Sequence, residues 1–226
     1  MPVFKHSLGI IARMQFDWQN IDTVLLDMDG TLLDLHFDSH FWLDYMPKIW
    51  ASRNGYVLED AQLRLKSMLD KHVGTLNWYC VDFWADVLEL DIMQLKGQVA
   101  HKISYRPTAE EFLQRCQQEC NDVRMITNAH RKVLELKIRQ TGIDQYFDQL
   151  WCSHELGYPK ENKQFWHCLD NHKPFDPQRT LFIDDSEAVL ESAAGHGIKH
   201  IYSIAKPDSS MNRKAPSRFE MLEQLV

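Results

Sequence analysis

Two aspartates one residue apart, Asp27 and Asp29 in Asp27-Met28-Asp29-Gly30-Thr31, follow directly on the apolar run Val24-Leu25-Leu26. Alternate residues of an extended chain point to one side, so both carboxylates share a side at the end of a buried strand before Gly30 turns the chain. Like charges held that close repel unless a cation lies between them or one is protonated. The spacing therefore asks for a hard metal ion, an acid/base couple, or both. A strand-ending turn with solvated aspartates explains the same five residues, so positions elsewhere must decide.

A second acidic pair, Asp184-Asp185, closes the run Leu181-Phe182-Ile183. Charge at the end of a strand buried on both faces needs a partner, and capping of the next helix by Asp185 and Ser186 accounts for one carboxylate but not both. After Val123-Arg124-Met125-Ile126 come Thr127 and Asn128 and then a helical pattern. A hydroxyl and backbone N–H groups at a positive helix terminus suit an anion, although an ordinary N-cap uses the same residues. Gly157-Tyr158-Pro159-Lys160-Glu161 sets a lysine behind a rigid turn, from which its ammonium reaches inward or, as most turn lysines do, faces water. Together, Asp27, Asp29 and Asp184 offer oxygen ligands for Mg²⁺, and Thr127 and Lys160 a positive field for a phosphoryl group. Phosphoryl transfer needs little beyond an in-line nucleophile and charge neutralisation.

The elements that must position these residues alternate. Short apolar runs predict strands over 23–26, 123–126, 150–152, 180–183 and 200–203, and helical patterns cover 109–120, 131–141, 161–171, 187–196 and 218–225. Such alternation reads as βαβ units building a parallel sheet in an α/β fold. Thr108-Ala109-Glu110-Glu111 has capping-box spacing, and Gly142 and Gly197 are suitable helix stops. One segment breaks the rhythm: residues 34–105 carry no strand pattern and at least two helical stretches, near 59–71 and 81–96. A β-to-α connection normally takes a few residues. This segment is read as a small helical insertion that roofs the carboxyl ends of the strands, where ligands of open α/β sheets bind.

Bulk properties narrow the classes. The chain has 226 residues, 44% of them hydrophobic, which suffices for one large domain or a domain with a modest insertion. A net charge of -7, without a Lys/Arg cluster longer than a pair, argues against nucleic acid or a membrane surface as the main partner. The five cysteines are odd in number and lack a Cys-x-x-Cys pair, which speaks against a disulfide framework or zinc site and for a reducing, cytoplasmic setting. Cys116 and Cys120 have a spacing open to a metal, but no His or Cys flanks them. Residues 1–15 read as a dispensable N-terminal arm, because Arg13 ends the apolar run that starts at Leu8 too soon for a secretory segment.

The order Asp27-x-Asp29-Gly30-Thr31, Thr127, Lys160, Asp184-Asp185 resembles the four motifs of the haloacid dehalogenase (HAD) superfamily of phosphohydrolases. The resemblance runs from about residue 16 to the end of the chain. It implies a Rossmann-like parallel-sheet core, 16–33 and 106–226, with a helical cap, 34–105, inserted between the first and second motifs. It further implies Asp27 as nucleophile and Asp29 as general acid/base that also binds Mg²⁺ through its backbone carbonyl. Thr127, with Asn128 beside it, would hold the phosphoryl group. Lys160 would offset charge between nucleophile and phosphate, Asp184 would ligate the metal, and Asp185 would act directly or through water. The second aspartate, Asp29, separates the chain from the dehalogenase branch.

Substrate choice falls to the insertion, where Trp42, Trp50, Trp78 and Trp84 lie with Phe41, Tyr45, Tyr79 and Phe83. These rings either stack on a planar base, with Asn77 reading its edge, or fill the core of a small subdomain. Four strings bear on the choice: Asp34-Leu35-x-Phe37-Asp38-x-x-Phe41-Trp42, Thr75-Leu76-Asn77-Trp78-Tyr79-Cys80-x-Asp82-x-Trp84, Gly157-Tyr158-Pro159-Lys160-Glu161, and Leu181-Phe182-Ile183-Asp184-Asp185-Ser186-Glu187-Ala188. They are similar to bacterial GMP/IMP 5′-nucleotidases of the HAD superfamily. The similarity implies Mg²⁺-dependent hydrolysis of a small-molecule purine nucleoside 5′-monophosphate. A phosphatase for a small sugar or glycolate phosphate, a phosphomutase, and a non-catalytic binding protein remain the alternatives. His130, just after Thr127-Asn128, either approaches substrate or, as first-turn histidines more often do, is solvated.

Overall fold

Apolar runs too short for helices become the strands of a six-stranded, wholly parallel sheet in the computed structural model, which describes residues 16–225. The expected N-terminal arm, 1–15, lies outside the described residues. Strands β1 (Thr23–Leu26), β2 (Val123–Thr127), β3 (Gln149–Cys152), β4 (Thr180–Asp184), β5 (His200–Ile204) and β6 (Glu220–Leu222) are arranged in the order β3-β2-β1-β4-β5-β6. β1 is central, with Val24 opposite Val123 on one side and Leu181 on the other. Every residue of β1, β2 and β4 is buried, as expected of strands covered on both faces.

The period of two sorts these strands into two cores. Val24, Leu26, Val123, Met125, Leu181 and Ile183 pack on one face with Phe112 and Leu113 of α7 (Ala109–Glu119) and Leu134 of α8 (Arg131–Thr141). Leu25, Ile126 and Phe182 face the other way, against Phe165, Trp166 and Leu169 of α10 (Lys163–His172) and Val189, Leu190 and Ala193 of α11 (Glu187–His196). The result is a three-layer α/β core of Rossmann type. Arg124, fully buried, is held by Asp122 and by the carbonyls of Lys173 and Pro174.

Between β1 and α7 all described regular elements are helical. They are α1 (His36–His40), α2 (Met46–Asn54), α3 (Leu58–Asp70), α4 (Leu76–Tyr79), α5 (Val81–Leu88) and α6 (Ile92–Gln98), followed by a 3-10 turn (Ala100–Lys102), and they form the cap read from the sequence. A π-helical turn, Phe41–Tyr45, joins α1 to α2 where Pro47 lacks the N–H that a regular turn would use. The cap has its own core, including Phe37, Phe41, Leu65, Trp84, Leu88 and Ile92, which closes against Val133 and Leu136 of α8. Cap and core therefore share one helix.

Three expectations are corrected. The pattern over 81–96 is two helices, because Glu89 takes a left-handed conformation (φ 54°) and ends α5. The helix expected over 218–225 is instead the edge strand β6, whose Leu222 is buried and which pairs with β5. An apolar stretch this short cannot be assigned by periodicity alone. The capping box at Thr108 does not form: its hydroxyl bonds the Pro107 carbonyl at 2.6 Å, and the residue sits at φ 65°.

Candidate active site

The predicted residues come together at the carboxyl end of the sheet. Asp27 follows β1, Thr127 ends β2, Asp184 ends β4, and Lys160 lies in the loop between α9 (Ser153–Leu156) and α10. Lys160 is 2% exposed, and its ammonium contacts Asp27 Oδ1 at 2.5 Å, Asp184 Oδ2 at 2.6 Å and the Ile126 carbonyl at 3.2 Å. The inward reading of this lysine is the one the fold adopts. Burial alone would lower its pKa, but the two carboxylates outweigh that and hold it above the ordinary lysine value.

One oxygen is left over. Asp27 Oδ2 is buried and has no hydrogen-bond partner. Ligand oxygens of Asp27, Asp184 and Asp185 lie within 4.8 Å of one another. Burial first, and then the neighbouring Asp184 charge, push the Asp27 carboxyl up to about 6 against the pull of Lys160. Asp184 is raised by burial, and Asp185 well raised by burial and by the charges of Asp184 and Asp27. Three hard oxygen donors crowded in this way, with one orphaned, fit an oxygen-loving divalent ion such as Mg²⁺. Gly30 lets Asp185 join them: its φ is 82°, and a Cβ there would stand 2.7 Å from Asp185 Oδ2.

Asp29 lines the same cavity as Asp27, as expected, but stands outside the acidic cluster. Its carboxylate meets the ammonium of Lys137 rather than the Asp27/Asp184/Asp185 cluster. The chain has left the extended conformation by then, since β1 ends at Leu26. Burial pushes the Asp29 carboxyl up to about 6 although Lys137 opposes the shift.

Thr127 is 1% exposed, and its hydroxyl oxygen accepts from the Ala129 N–H at 3.0 Å, which leaves its own proton to donate. Asn128 does a second job: its Oδ1 accepts from the Lys160 N–H and its Nδ2 donates to Glu161 Oε2, both at 2.9 Å. Glu161 also receives the Tyr79 hydroxyl from the cap. The helix after this strand starts at Arg131 with His130 as N-cap, so Thr127 and Asn128 stand before its first turn. His130 is half-buried on the cavity wall rather than solvated, with its Nε2 3.8 Å from Asp82.

These groups line a cavity of about 420 Å³ under the cap. Its outer wall holds Trp42, Trp78, Tyr79, Leu43 and Leu69. The other expected rings divide between packing and surface. Trp84 and Phe41 are buried in the cap core, Trp50 lies against Tyr56, and Asn77 does not line the cavity. Sequence reasoning missed Lys137 and Lys96, which are 1% exposed and ion-paired to Asp38. The signal was present: each lysine falls on the apolar stripe of its helix, four residues after the buried Val133 and Ile92 respectively.

A family model for haloacid dehalogenase-like hydrolases matches residues 21–197. The chain belongs to that family. The chain is also 39% identical over 205 residues to the GMP/IMP nucleotidase YrfG of Escherichia coli (strain K12), covering 91% of this chain and 92% of that one. Among solved structures, a HAD phosphatase from Thermococcus onnurineus superposes with a TM-score of 0.72 at 18% identity, over 89% of this chain and 93% of the other. The magnesium-bound HAD-hydrolase YfnB of Bacillus subtilis gives 0.64 at 16% identity, over 91% and 95%. These two likenesses concern the fold. The HAD-like chain is an enzyme with a Rossmann-like core and a helical cap, and among its described residues no helix is long and apolar enough to cross a membrane.

Proposed function

We propose that this HAD hydrolase is a Mg²⁺-dependent phosphoric monoester hydrolase of the cytoplasm that converts purine nucleoside 5′-monophosphates, GMP and IMP foremost, to nucleoside and phosphate. The observation that carries the chemistry is the orphaned Asp27 Oδ2, a buried carboxylate oxygen facing a cavity while its twin is held by Lys160. In this reading the core comprises 16–33 and 106–226, and the cap 34–105.

Asp27 Oδ2 attacks the phosphorus in line, the ester P–O bond breaks, and Asp29 gives its proton to the leaving oxygen. A carboxyl raised to about 6 retains a protonated fraction near neutral pH, as a general acid must. Asp29 then takes a proton from water as that water attacks phosphorus and the P–O bond to Asp27 breaks, releasing phosphate. The Thr127 hydroxyl and the Lys160 ammonium hold negative charge on the phosphoryl oxygens. Asp27, Asp184 and Asp185, with the Asp29 carbonyl, would hold Mg²⁺, which supplies further charge neutralisation when bound. Asn128 orients Lys160 by gripping its backbone.

The base preference is supported by the relative named for GMP and IMP and by the aromatic wall of the cavity. A cavity of about 420 Å³ accommodates a drug-sized ligand. The test is phosphate release across nucleoside monophosphates and sugar phosphates, with Mg²⁺ and with EDTA. GMP and IMP should lead, and only with Mg²⁺. Faster turnover of small sugar phosphates would sink the nucleotidase assignment while sparing the aspartate chemistry.

A further inference from the structure

A line of four charges, two buried lysines alternating with two partly exposed carboxylates, runs from the site into the cap: Asp29, Lys137, Asp38, Lys96. Lys137 is spent between two carboxylates, with the Phe37 ring 5.2 Å away. Lys96 is enclosed between Asp38 at 2.6 Å and the rings of Phe37 and Phe41 at 4.8 and 4.5 Å. Asp38 is different. Each of its oxygens takes one ammonium, whereas an ionised carboxylate accepts about four hydrogen bonds. Its side chain keeps 21% exposure and lines the same cavity as Asp27. Unused acceptor capacity therefore opens onto the substrate space.

Its location limits what it can meet. Two successive contacts of 2.5 Å through Lys137 place Asp38 Oδ2 within about 5 Å of Asp29 Oδ1. Asp29 is where the leaving oxygen of the ester lies in the proposed reaction, so Asp38 faces the part of the substrate next to that oxygen. In a nucleoside 5′-monophosphate that part is the ribose, with its 2′- and 3′-hydroxyls. A fixed carboxylate is the acceptor used for ribose hydroxyls in nucleotide sites of other folds.

We propose that Asp38 is the sugar-reading residue, accepting a hydrogen bond from a ring hydroxyl of the ribose while Lys96 and Lys137 fix its two oxygens. The inference rests on the nucleotidase reading and adds to it a preference for ribonucleotides.

The experiment crosses substrate with variant. Wild-type enzyme is assayed with GMP, 2′-deoxy-GMP and 2′,3′-dideoxy-GMP, and Asp38→Asn and Asp38→Glu with the same three. The wild type should prefer GMP over the dideoxy compound by roughly ten- to hundredfold in kcat/KM, the worth of a hydrogen bond to a charged acceptor. In Asp38→Asn that ratio should collapse several-fold toward unity, mostly through KM. General damage to the site lowers all three substrates together and leaves the ratio intact. Asp38→Glu keeps the charge and both ammonium partners but shifts the acceptor by one methylene, so it should also lose the ratio and stays folded if the amide variant does not. A wild-type preference below twofold, or a ratio preserved in a variant that still turns over, overturns the proposal. Failure of the nucleotidase reading looks different: no nucleotide in the set would be hydrolysed faster than sugar phosphates.

Discussion

At Asp27 one carboxylate carries two opposed demands. Its Oδ1 is tied to Lys160 while Oδ2 stays bare, and burial keeps the acid near 6. In the proposed mechanism Asp27→Asn replaces the attacking oxygen with a poor nucleophile, and kcat should fall by more than ~10⁴-fold. The same change should stabilise the metal-free protein. A carboxyl whose pKa rises from 3.8 to about 6 on folding costs about 3 kcal/mol when ionised at neutral pH, and the amide removes that cost. Calorimetry in EDTA should show a melting temperature several degrees above wild type, and a lower one would mean that the amide strands Lys160. Asp27, Thr127, Lys160 and Asp184 were legible in the sequence because each ends a strand or follows a glycine turn. Lys137 and Lys96 left a trace on the apolar stripes of their helices, but their pairing with Asp38 was not legible, because ion pairs across cap and core depend on which helix faces rest together.

Among the elements, α4 and α5 of the cap show how packing and recognition divide. Trp84 is buried, and its indole N–H bonds the backbone carbonyl of Trp78 at 3.1 Å. The Trp78 ring is half-buried on the cavity wall and contributes its carbonyl, not its ring, to that bond. Trp78→Ala should therefore raise KM for GMP several-fold with kcat largely unchanged and a melting temperature within a few degrees of wild type. A large loss of thermal stability with KM intact would assign the ring to packing instead. The core strands were readable as short apolar runs, and the helical insertion from its helical patterns and its lack of any strand pattern. The split of 81–96 and the edge strand β6 were not: the first turns on the φ of Glu89, and the second on a neighbouring strand that supplies the hydrogen bonds.

For the whole molecule, the crowded carboxylates link stability to pH and to metal. Asp27 and Asp29 have pKa values raised from 3.8 to about 6, so their contribution is full below about pH 4 and is lost as pH rises through 6. Bound as proposed at the Asp27, Asp184 and Asp185 oxygens, Mg²⁺ would act against the Asp27 part of that loss by competing with protons there. At 100 times its Kd the ion should add about 2.7 kcal/mol. The rise in melting temperature at a fixed Mg²⁺ concentration should be larger at pH 7.5 than at pH 5. An equal rise at both would place the ion elsewhere.

The central position of β1 governs how the enzyme can be made. Its neighbours in the sheet are drawn from residues 123–125 and 180–183, and Asp27 meets Lys160 133 positions later. Contacts so distant along the chain close slowly. A nascent chain still on the ribosome therefore carries Asp27, the proposed nucleophile, long before it owns Lys160 and the acidic pair that meet it in the fold. Translation must be nearly finished before any phosphate ester is at risk.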